Sequence, residues 1–318
     1  MGTLGHVSWG PAGRGEGDLA RRLAGRAAHL EGLLTRFDPA SEVSLLDGRW
    51  RPVGEDTAAV LSSAQDLCRR TRAGFSALLG ARVRAWEGAA RGEDAPGADP
   101  GPVRGRIEVS ADAAGVSARV VGADPRAVDL GGIAKGYAAD QLRDLAQASG
   151  ASDVLVSLGR SSMAVAGAAA RVALASPWRG LEAFGTLVLE SGSLSVSADP
   201  GTRIGPGRQR SHALDPVTGR PAVTDLCGVV VCGEDGMVCE AFSTAYLVCG
   251  LDAALAMDRE HPELRSIFMT VDGRVLADPA LRVAAVPGAQ RRLSSARAAL
   301  PLRVAGPADH TRRSLSRK

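Results

Sequence analysis

The sequence predicts an α+β protein rather than a doubly wound α/β protein. Amphipathic helices and short apolar strands are both present, but they do not alternate regularly as strand, helix and strand. Apolar residues make up 45% of the chain and charged residues 23%, as in an ordinary globular protein with ample material for a core. No internal repeat or linker divides the chain. We therefore expect one domain over residues 1–286 and a basic, disordered tail over 287–318 that is rich in Ser, Pro and Ala.

Helices are predicted where apolar residues recur every three or four positions. In the first of them Leu19, Leu23 and Leu30 share one face and arginines occupy the other. Pro39 ends this pattern because proline cannot continue the helical hydrogen bonds. Ser41 is a suitable N-cap for a short second helix. The predicted helices cover residues 18–36, 40–46, 56–72, 133–149 and 237–249.

Strands are predicted where apolar and β-branched residues run together or alternate between turn residues. The predicted strands cover residues 106–109, 116–120, 127–130, 154–158, 171–175, 184–189, 193–197 and 227–232. Two further strands, 266–270 and 274–277, should form a hairpin around Asp272-Gly273. The stretch 91–105 is rich in Gly, Pro and Asp and is predicted to be a loop.

Composition restricts the class of protein. The formal net charge is only +3, and no aromatic residue lies among the arginines of the tail to stack on bases, so nucleic acid is not a favoured partner. The five cysteines form no CxxC pair, which favours a reducing compartment. The N-terminus lacks a basic start and an apolar stretch, and no apolar run is long enough to cross a bilayer. We therefore expect a cytoplasmic protein without a membrane partner.

Lys135 is the most informative residue. The chain has 38 basic residues of the Lys and Arg types, and only Lys135 and Lys318 are lysines. Where arginine replaces lysine almost everywhere, an internal lysine between glycines indicates a site that needs a slim ammonium rather than a planar guanidinium. The alternative is that this lysine survived by chance.

The Gly131-Gly132 turn precedes a predicted helix and follows a predicted strand. Glycines allow the backbone to approach an anion, and the helix N-terminus supplies free N–H groups. Asp129 could hold a ribityl or ribose hydroxyl or a metal-bound water, and Lys135 could neutralise a phosphate. The spacing fits neither a Walker loop nor a dinucleotide fingerprint.

Two later segments could also carry chemistry. His212 precedes the turn sequence Asp215-Pro216, where Asp215 could simply cap the turn and His212 could be structural. Glu240 and Thr244 are four residues apart on one face of a predicted helix, an arrangement suited to Mg²⁺. The alternative for that pair is a side-chain hydrogen bond within the helix.

Taken together, these segments resemble the ApbE family of flavin transferases. Asp129 to Asp140 matches the family run D-L-G-G-I-A-K-G-Y-A-x-D without a mismatch, and His212 to Pro221 matches H-x-x-D-P-x-T-G-x-P in full. Glu240 to Thr244 falls where the family has D-A-x-x-T. The resemblance covers roughly residues 1–285. It implies a T-fold-like architecture of mixed and antiparallel sheets with flanking helices.

The resemblance also implies an activity. Such a protein would be an Mg²⁺-dependent FAD:protein FMN transferase, which moves FMN from FAD to a threonine hydroxyl of a client flavoprotein and releases AMP. Asp129, Gly131, Gly132, Lys135 and His212 would contact FAD, and His212 would lie beside the reacting phosphate or flavin. The metal would be held by Ala134 (through its carbonyl), Glu240 and Thr244.

Three departures from the family pattern keep a second interpretation open. Glu240 replaces the family's metal aspartate and is one methylene longer. The family's glycine-glycine-acid/amide turn is here Gly159-Arg160-Ser161, and its Thr-Ser-Gly element is Val196-Ser197-Ala198. The alternative is therefore a degenerate homologue that binds FAD without transferring FMN and serves as a flavin carrier or an interaction module.

Overall fold

Helices and mostly antiparallel strands make up the part of the chain that the computed structural model describes. That part comprises residues 4–10, 16–93, 100–113, 115–124, 126–178, 183–198, 203–204, 210–211 and 213–285. The helices are α1 (Glu16–Leu34), α2 (Glu55–Arg70), α3 (Gly80–Ala90), α4 (Ala134–Ala148), α5 (Gly236–Cys249) and α6 (Leu251–Asp258). The strands are β1 (Gly5–Trp9), β2 (Arg51–Pro52), β3 (Arg106–Asp112), β4 (Gly115–Val121), β5 (Val154–Leu158), β6 (Ser162–Ala166), β7 (Ala170–Ala175), β8 (Ala183–Leu189), β9 (Gly192–Ala198), β10 (Arg203–Ile204), β11 (Arg210–Ser211), β12 (Leu214–Asp215), β13 (Arg220–Pro221), β14 (Leu226–Gly233), β15 (Arg265–Thr270), β16 (Val275–Ala277) and β17 (Arg282–Ala285).

A seven-stranded sheet in the order β1-β5-β6-β9-β14-β15-β16 forms the centre, and all of its pairings are antiparallel. Helices α1, α4 and α5 pack on one face. A three-stranded sheet, β17-β8-β7, packs on the other. A second three-stranded sheet, β2-β4-β3, packs against α2. These layers confirm the α+β fold.

Strand β14 lies inside the central sheet, and its sequence is a continuous apolar run because both of its faces are covered. Val229 and Val231 pack into the cluster that contains α5, whereas Val230 and Cys232 pack into the cluster that contains β8. Because successive side chains of a strand point to opposite faces, a strand covered on both faces needs apolar residues at every position. The sequence shows no alternation here for that reason.

Helices α4 and α5 approach each other unusually closely at two glycines. A Cβ added to Gly136 would lie 2.1 Å from the carbonyl oxygen of Gly236, and one added to Gly236 would lie 2.5 Å from that of Gly136. The backbone N–H of Gly236 also donates to Asp140 Oδ2 at 2.7 Å. The close contact brings the first turn of α4, with Lys135, against the first turns of α5, with Glu240.

Most of the predicted elements are confirmed. The predicted helices 18–36, 56–72, 133–149 and 237–249 correspond to α1, α2, α4 and α5. The hairpin around Asp272-Gly273 forms from β15 and β16. Of the predicted loop 91–105, residues 91–93 and 100–105 are described, and they contain neither helix nor strand. None of the helices in the described residues combines the length and apolar character that a membrane span requires.

Two sequence-based elements are wrong. Residues 40–46 form turns instead of a helix, because Ser41 Oγ accepts from the Ser44 N–H and donates to the Thr35 carbonyl, closing single turns beside the end of α1. Residues 127–130 are not a strand, since their backbone bonds to the loop before α3 and to the first residue of that helix: the Asp129 N–H donates to Ala77 O and the Gly80 N–H to Ala127 O. Helices α3 and α6 and strands β1, β2, β6, β10, β11, β12, β13 and β17 were not predicted.

Candidate functional site

A buried ion pair between Lys135 and Glu240 lies at the α4–α5 contact. Lys135 Nζ bonds to Glu240 Oε1 and also donates to the carbonyl oxygen of Gly131 at 2.8 Å. The second carboxylate oxygen of Glu240 accepts from the Gly136 N–H at 2.8 Å. The Glu240 side chain is 5% exposed and that of Lys135 18%. The ammonium is thereby held beside the glycine turn and still reaches solvent.

The Gly131-Gly132 turn leads directly into α4, as predicted. A Cβ on Gly132 would lie 3.0 Å from Phe75 Cε2, and one on Gly131 would lie 2.9 Å from Asp129 Oδ1, so a side chain at either position would displace a neighbouring side chain. Asp129 Oδ1 accepts from the Gly131 N–H at 2.8 Å. The Gly132 N–H, in contrast, donates no hydrogen bond within the described part of the chain. A free N–H at the start of a helix is a donor suited to an anion.

Asp129 is fixed by an arginine that the sequence analysis missed. Arg36 Nε lies 2.9 Å from Asp129 Oδ2, and its NH2 group donates to Glu87 Oε1 at 2.6 Å. Arg36 is the second residue after the end of α1 and lies about ninety positions before Asp129 in the sequence. Only the fold brings Arg36 and Asp129 together. Asp129 therefore holds the shape of the turn through one oxygen and pairs with Arg36 through the other.

Thr244 lies one helical turn after Glu240 and is bordered by serines of β9. Ser197 Oγ lies 3.4 Å from Thr244 Oγ1 and 2.8 Å from Ser243 Oγ. Ser195 Oγ lies 3.1 Å from Ser243 Oγ. These hydroxyls form a polar strip between the central sheet and α5, next to the Lys135–Glu240 pair.

Asp140, the last residue of the long motif, has a structural role. It accepts from Ser193 Oγ and from the Gly236 N–H, and Arg143 NH1 lies 3.0 Å from its Oδ1. Burial raises the pKa of Asp140 above its ordinary value, against the hydrogen bonds from Ser193 and the Gly236 N–H and the charge of Arg143, which lower it. Asp140 therefore ties the start of α5 to α4 and to β9.

Two cavities border this junction, and Gly131 and Thr244 line both of them. The smaller cavity, about 370 Å³, is largely apolar. It is lined by Leu34, Thr35, Arg36, Phe37, Gly74, Phe75, Ser76, Leu79, Val83, Glu87, Asp129, Leu130, Gly131, Gly132, Ala134, Ala213, Leu214 and Thr244.

The larger cavity, about 800 Å³, is more polar and extends over the central sheet to β7. Its polar and charged lining residues are Lys135, Ser157, Arg160, Ser161, Arg171, Ser195, Ser197, Glu240 and Thr244. The residues that the two cavities share thus lie close to the Lys135 ammonium, which lines the larger cavity, and to the Gly132 N–H, which borders the smaller one.

The fold brings together seven of the eight site residues that the sequence singled out. Asp129, Gly132 and Ala134 line the smaller cavity, Lys135 and Glu240 the larger, and Gly131 and Thr244 both, as given above. His212 lies outside the described residues, so its place in the site stays a prediction. The turn that follows it forms as expected, with Asp215 Oδ1 accepting from the Val217 N–H at 2.8 Å.

The oxygen atoms at the junction fit Mg²⁺ only together with a ligand. The Glu240 carboxylate, the Thr244 hydroxyl and the Ala134 carbonyl are donors of the type that Mg²⁺ prefers. However, both carboxylate oxygens of Glu240 already accept hydrogen bonds. The described residues also contain no group of three or more His, Cys, Asp or Glu side chains that could hold a metal. A magnesium ion here would need further oxygens from a phosphate-bearing ligand.

Comparison with known proteins identifies the family. The model of the ApbE family matches residues 1–268, most of the chain and all three motif segments. The chain belongs to the ApbE family. It is 32% identical over 165 residues to the FAD:protein FMN transferase of Treponema pallidum (strain Nichols), which covers 47% of this chain and 45% of that protein. It is 26% identical over 219 residues to the FAD:protein FMN transferase of Haemophilus influenzae (strain ATCC 51907 / DSM 11121 / KW20 / Rd), covering 64% and 63%.

The chain matches about half the length, or less, of the first curated relatives with which it was compared. Solved ApbE structures show the same fold over a larger share. The ApbE protein of Thermotoga maritima superposes with a TM-score of 0.71 at 21% identity over 87% of this chain and 96% of the other. The flavin transferase ApbE of Vibrio cholerae superposes with a TM-score of 0.67 at 18% identity over 92% and 96%. The ApbE-like architecture predicted from the motifs is thus confirmed.

Proposed function

We propose that this ApbE-family chain is an FAD:protein FMN transferase. It would move FMN from FAD to a threonine hydroxyl of a client flavoprotein and release AMP, with Mg²⁺ as the metal. One observation carries the proposal: Gly131 and Thr244 line both cavities, beside the Lys135 ammonium. FAD has two ring systems joined by a diphosphate. The two cavities would offer a compartment for each ring system, with the Lys135 ammonium and the Gly132 N–H available to the diphosphate between them. The names of the curated relatives support the same activity.

The residues at the junction suit the charge changes of phosphoryl transfer. The threonine oxygen would form a bond to the phosphorus of the FMN half, while the bond from that phosphorus to the oxygen shared with AMP breaks. AMP leaves with the electron pair, and the threonine proton passes to a base, for which His212 is the sequence-based candidate. Lys135 and the Gly132 N–H would donate to the phosphate oxygens. Positioning and charge stabilisation of this kind supply most of the catalysis of such reactions.

Magnesium would be held by Glu240, Thr244 and the Ala134 carbonyl together with phosphate oxygens. When bound, it would neutralise the charge that develops on the departing AMP. Lys135 and Glu240 form a pair with no net charge, whereas the diphosphate carries two negative charges and Mg²⁺ two positive ones. Binding both together keeps the buried junction neutral, which binding either one alone does not.

The second candidate function is FAD binding without transfer. The observation that favours it is the engagement of both Glu240 oxygens by Lys135 and the Gly136 N–H. A longer carboxylate that prefers the neighbouring ammonium would be a poor metal ligand, and metal-dependent turnover would then be lost while Lys135 could still bind phosphate.

One experiment separates the two functions. The protein is incubated with FAD, Mg²⁺ and a threonine-bearing client, and flavin fluorescence on the client is read in a denaturing gel while AMP is measured by chromatography. The transferase predicts fluorescent client and an equal amount of AMP, both absent when the client threonine is alanine. Tight FAD binding without AMP would reject the transferase.

Matched threonine variants of the enzyme locate the site. Thr244→Val removes a hydroxyl at the junction and should abolish most of the transfer. Thr186→Val makes the same change on β8, away from both cavities, and should leave transfer unchanged.

A further inference from the structure

The free edge of β7 forms a wall of the larger cavity. β7 pairs with β8 on one side, and no strand of the described residues pairs with its other side. Five consecutive residues, 171–175, line the cavity. Because consecutive side chains of a strand point to opposite faces, a cavity that touches all five runs along the edge of the strand. Every second backbone N–H and C=O group of β7 therefore faces this space without a strand partner.

Two arginines give this cavity a positive charge. Arg160 and Arg171 are both exposed, and the guanidinium of neither has a hydrogen bond or ion pair with another residue of the described chain. Glu240 is the only acidic residue of the described lining, and Lys135 neutralises it. The wall next to β7 is thus complementary to negative charge.

Arg160 also has an uncommon backbone conformation. Its φ is +61°, in the left-handed region that side chains with a Cβ disfavour. Residues held in that region tend to cluster at functional sites. The turn Gly159-Arg160-Ser161 closes the hairpin of β5 and β6, and it places Arg160 in the lining of the larger cavity.

We propose that the free edge of β7 is the docking site for the acceptor segment of the client protein, which binds as an added, extended strand with acidic side chains opposite Arg160 and Arg171. This inference rests on the proposed transferase function. An extended segment has unpaired backbone groups that can bond to the edge, whereas a helix has none along its length. The same cavity is lined by Lys135, Glu240 and Thr244. A threonine on the added strand therefore lies in the compartment that contains the phosphate-side residues.

Backbone methylation of a peptide substrate tests strand addition directly. A pool of nine-residue peptides, each with a single central threonine, is incubated with the protein, FAD and Mg²⁺, and the best acceptor is identified by mass spectrometry. Each backbone N–H of that peptide is then replaced in turn by N–CH₃. Strand addition predicts that methylation lowers transfer at least tenfold at alternate residues and less than twofold at the residues between them, since only every second N–H of a strand faces its partner.

Charge variants test the role of the arginines. Arg160→Gln and Arg171→Gln should each raise the KM for an acidic acceptor peptide about tenfold and should change the KM for the same peptide with its acidic residues replaced by amides less than twofold. Arg21→Gln, which removes an exposed arginine on α1 far from the cavity, is the matched control and should change neither quantity.

The outcomes distinguish this inference from the function on which it depends. Transfer that tolerates N-methylation everywhere, or is lost without alternation, would show that the acceptor docks elsewhere, while the transferase function stands. Transfer to no peptide of the pool and to no folded client would contradict the transferase function and this inference together.

Discussion

Substitution of Gly136 by alanine tests the helix contact on which the site depends. The new Cβ would lie 2.1 Å from the carbonyl oxygen and 2.3 Å from the carbonyl carbon of Gly236, whereas real Cβ atoms essentially never approach closer than 3.0 Å. The obstacle is backbone, so α4 and α5 must separate by roughly 1 Å. Such overpacking typically costs about 1–3 kcal/mol. Alanine gains about 1 kcal/mol of helix propensity over glycine, which offsets part of that cost.

The expected net loss for Gly136→Ala is about 0–2 kcal/mol of unfolding free energy, measured by chemical denaturation. Because the separation also moves Lys135 away from Glu240, we expect FAD affinity, measured by flavin fluorescence, to fall about tenfold. Gly25→Ala is the matched control: Gly25 lies inside α1, and nothing is within 4 Å of its added Cβ. It should stabilise the protein by up to about 1 kcal/mol. If Gly136→Ala behaves like Gly25→Ala and keeps its FAD affinity, the reasoning from the helix contact is wrong.

Three further substitutions address the same network and its surroundings. Lys135→Arg should weaken FAD binding about tenfold in a titration, because a planar guanidinium does not fit where the ammonium bonds to Gly131 O and Glu240. Equal affinity would contradict the inference that this position requires an ammonium. Glu240→Gln should lower the unfolding free energy by about 2 kcal/mol in a denaturation experiment, which is less than for a fully buried pair because Lys135 reaches solvent. The same substitution should abolish any dependence of FAD affinity on Mg²⁺. An unchanged Mg²⁺ dependence would place the metal elsewhere. Burial alone would raise the pKa of Asp56, but hydrogen bonds from Arg26 and Tyr137 lower it below its ordinary value. A depressed carboxyl pKa stabilises the fold above the unfolded value near 3.8 and less as the pH falls through the folded pKa. Asp56→Asn should therefore cost about 1.5–3 kcal/mol at pH 7 and progressively less below pH ~4, and a pH-independent difference would contradict the ionic account.

The residues that we propose to bind the phosphates could be identified in the sequence because local spacing determines their arrangement. The glycine turn before α4 and the four-residue interval of Glu240 and Thr244 on α5 both survive in the structure. A turn and a helix are short-range features, and their side-chain directions follow from backbone geometry.

Contacts between distant segments could not be predicted in the same way. Lys135 and Glu240 are 105 positions apart, and their pairing depends on the contact of Gly136 with Gly236. The ion pair of Arg36 with Asp129 likewise depends on where α1 ends. No periodicity in a single sequence carries such information.

The errors have local physical causes. Residues 127–130 have the apolar character of a strand, but their backbone groups bond to the loop before α3. Residues 40–46 start with a good N-cap, yet Ser41 uses its hydroxyl to close a turn next to α1. In both cases a neighbouring segment supplied a better partner for the backbone than the predicted element would have done.

The most direct test of the central claim is a crystal structure of the protein with FAD and Mg²⁺ bound. We expect the diphosphate between Gly131 and Thr244, with a phosphate oxygen within hydrogen-bond distance of Lys135 Nζ and one ring system in each cavity. FAD bound away from that junction, or with its diphosphate out of reach of Lys135, would contradict the assignment of the site.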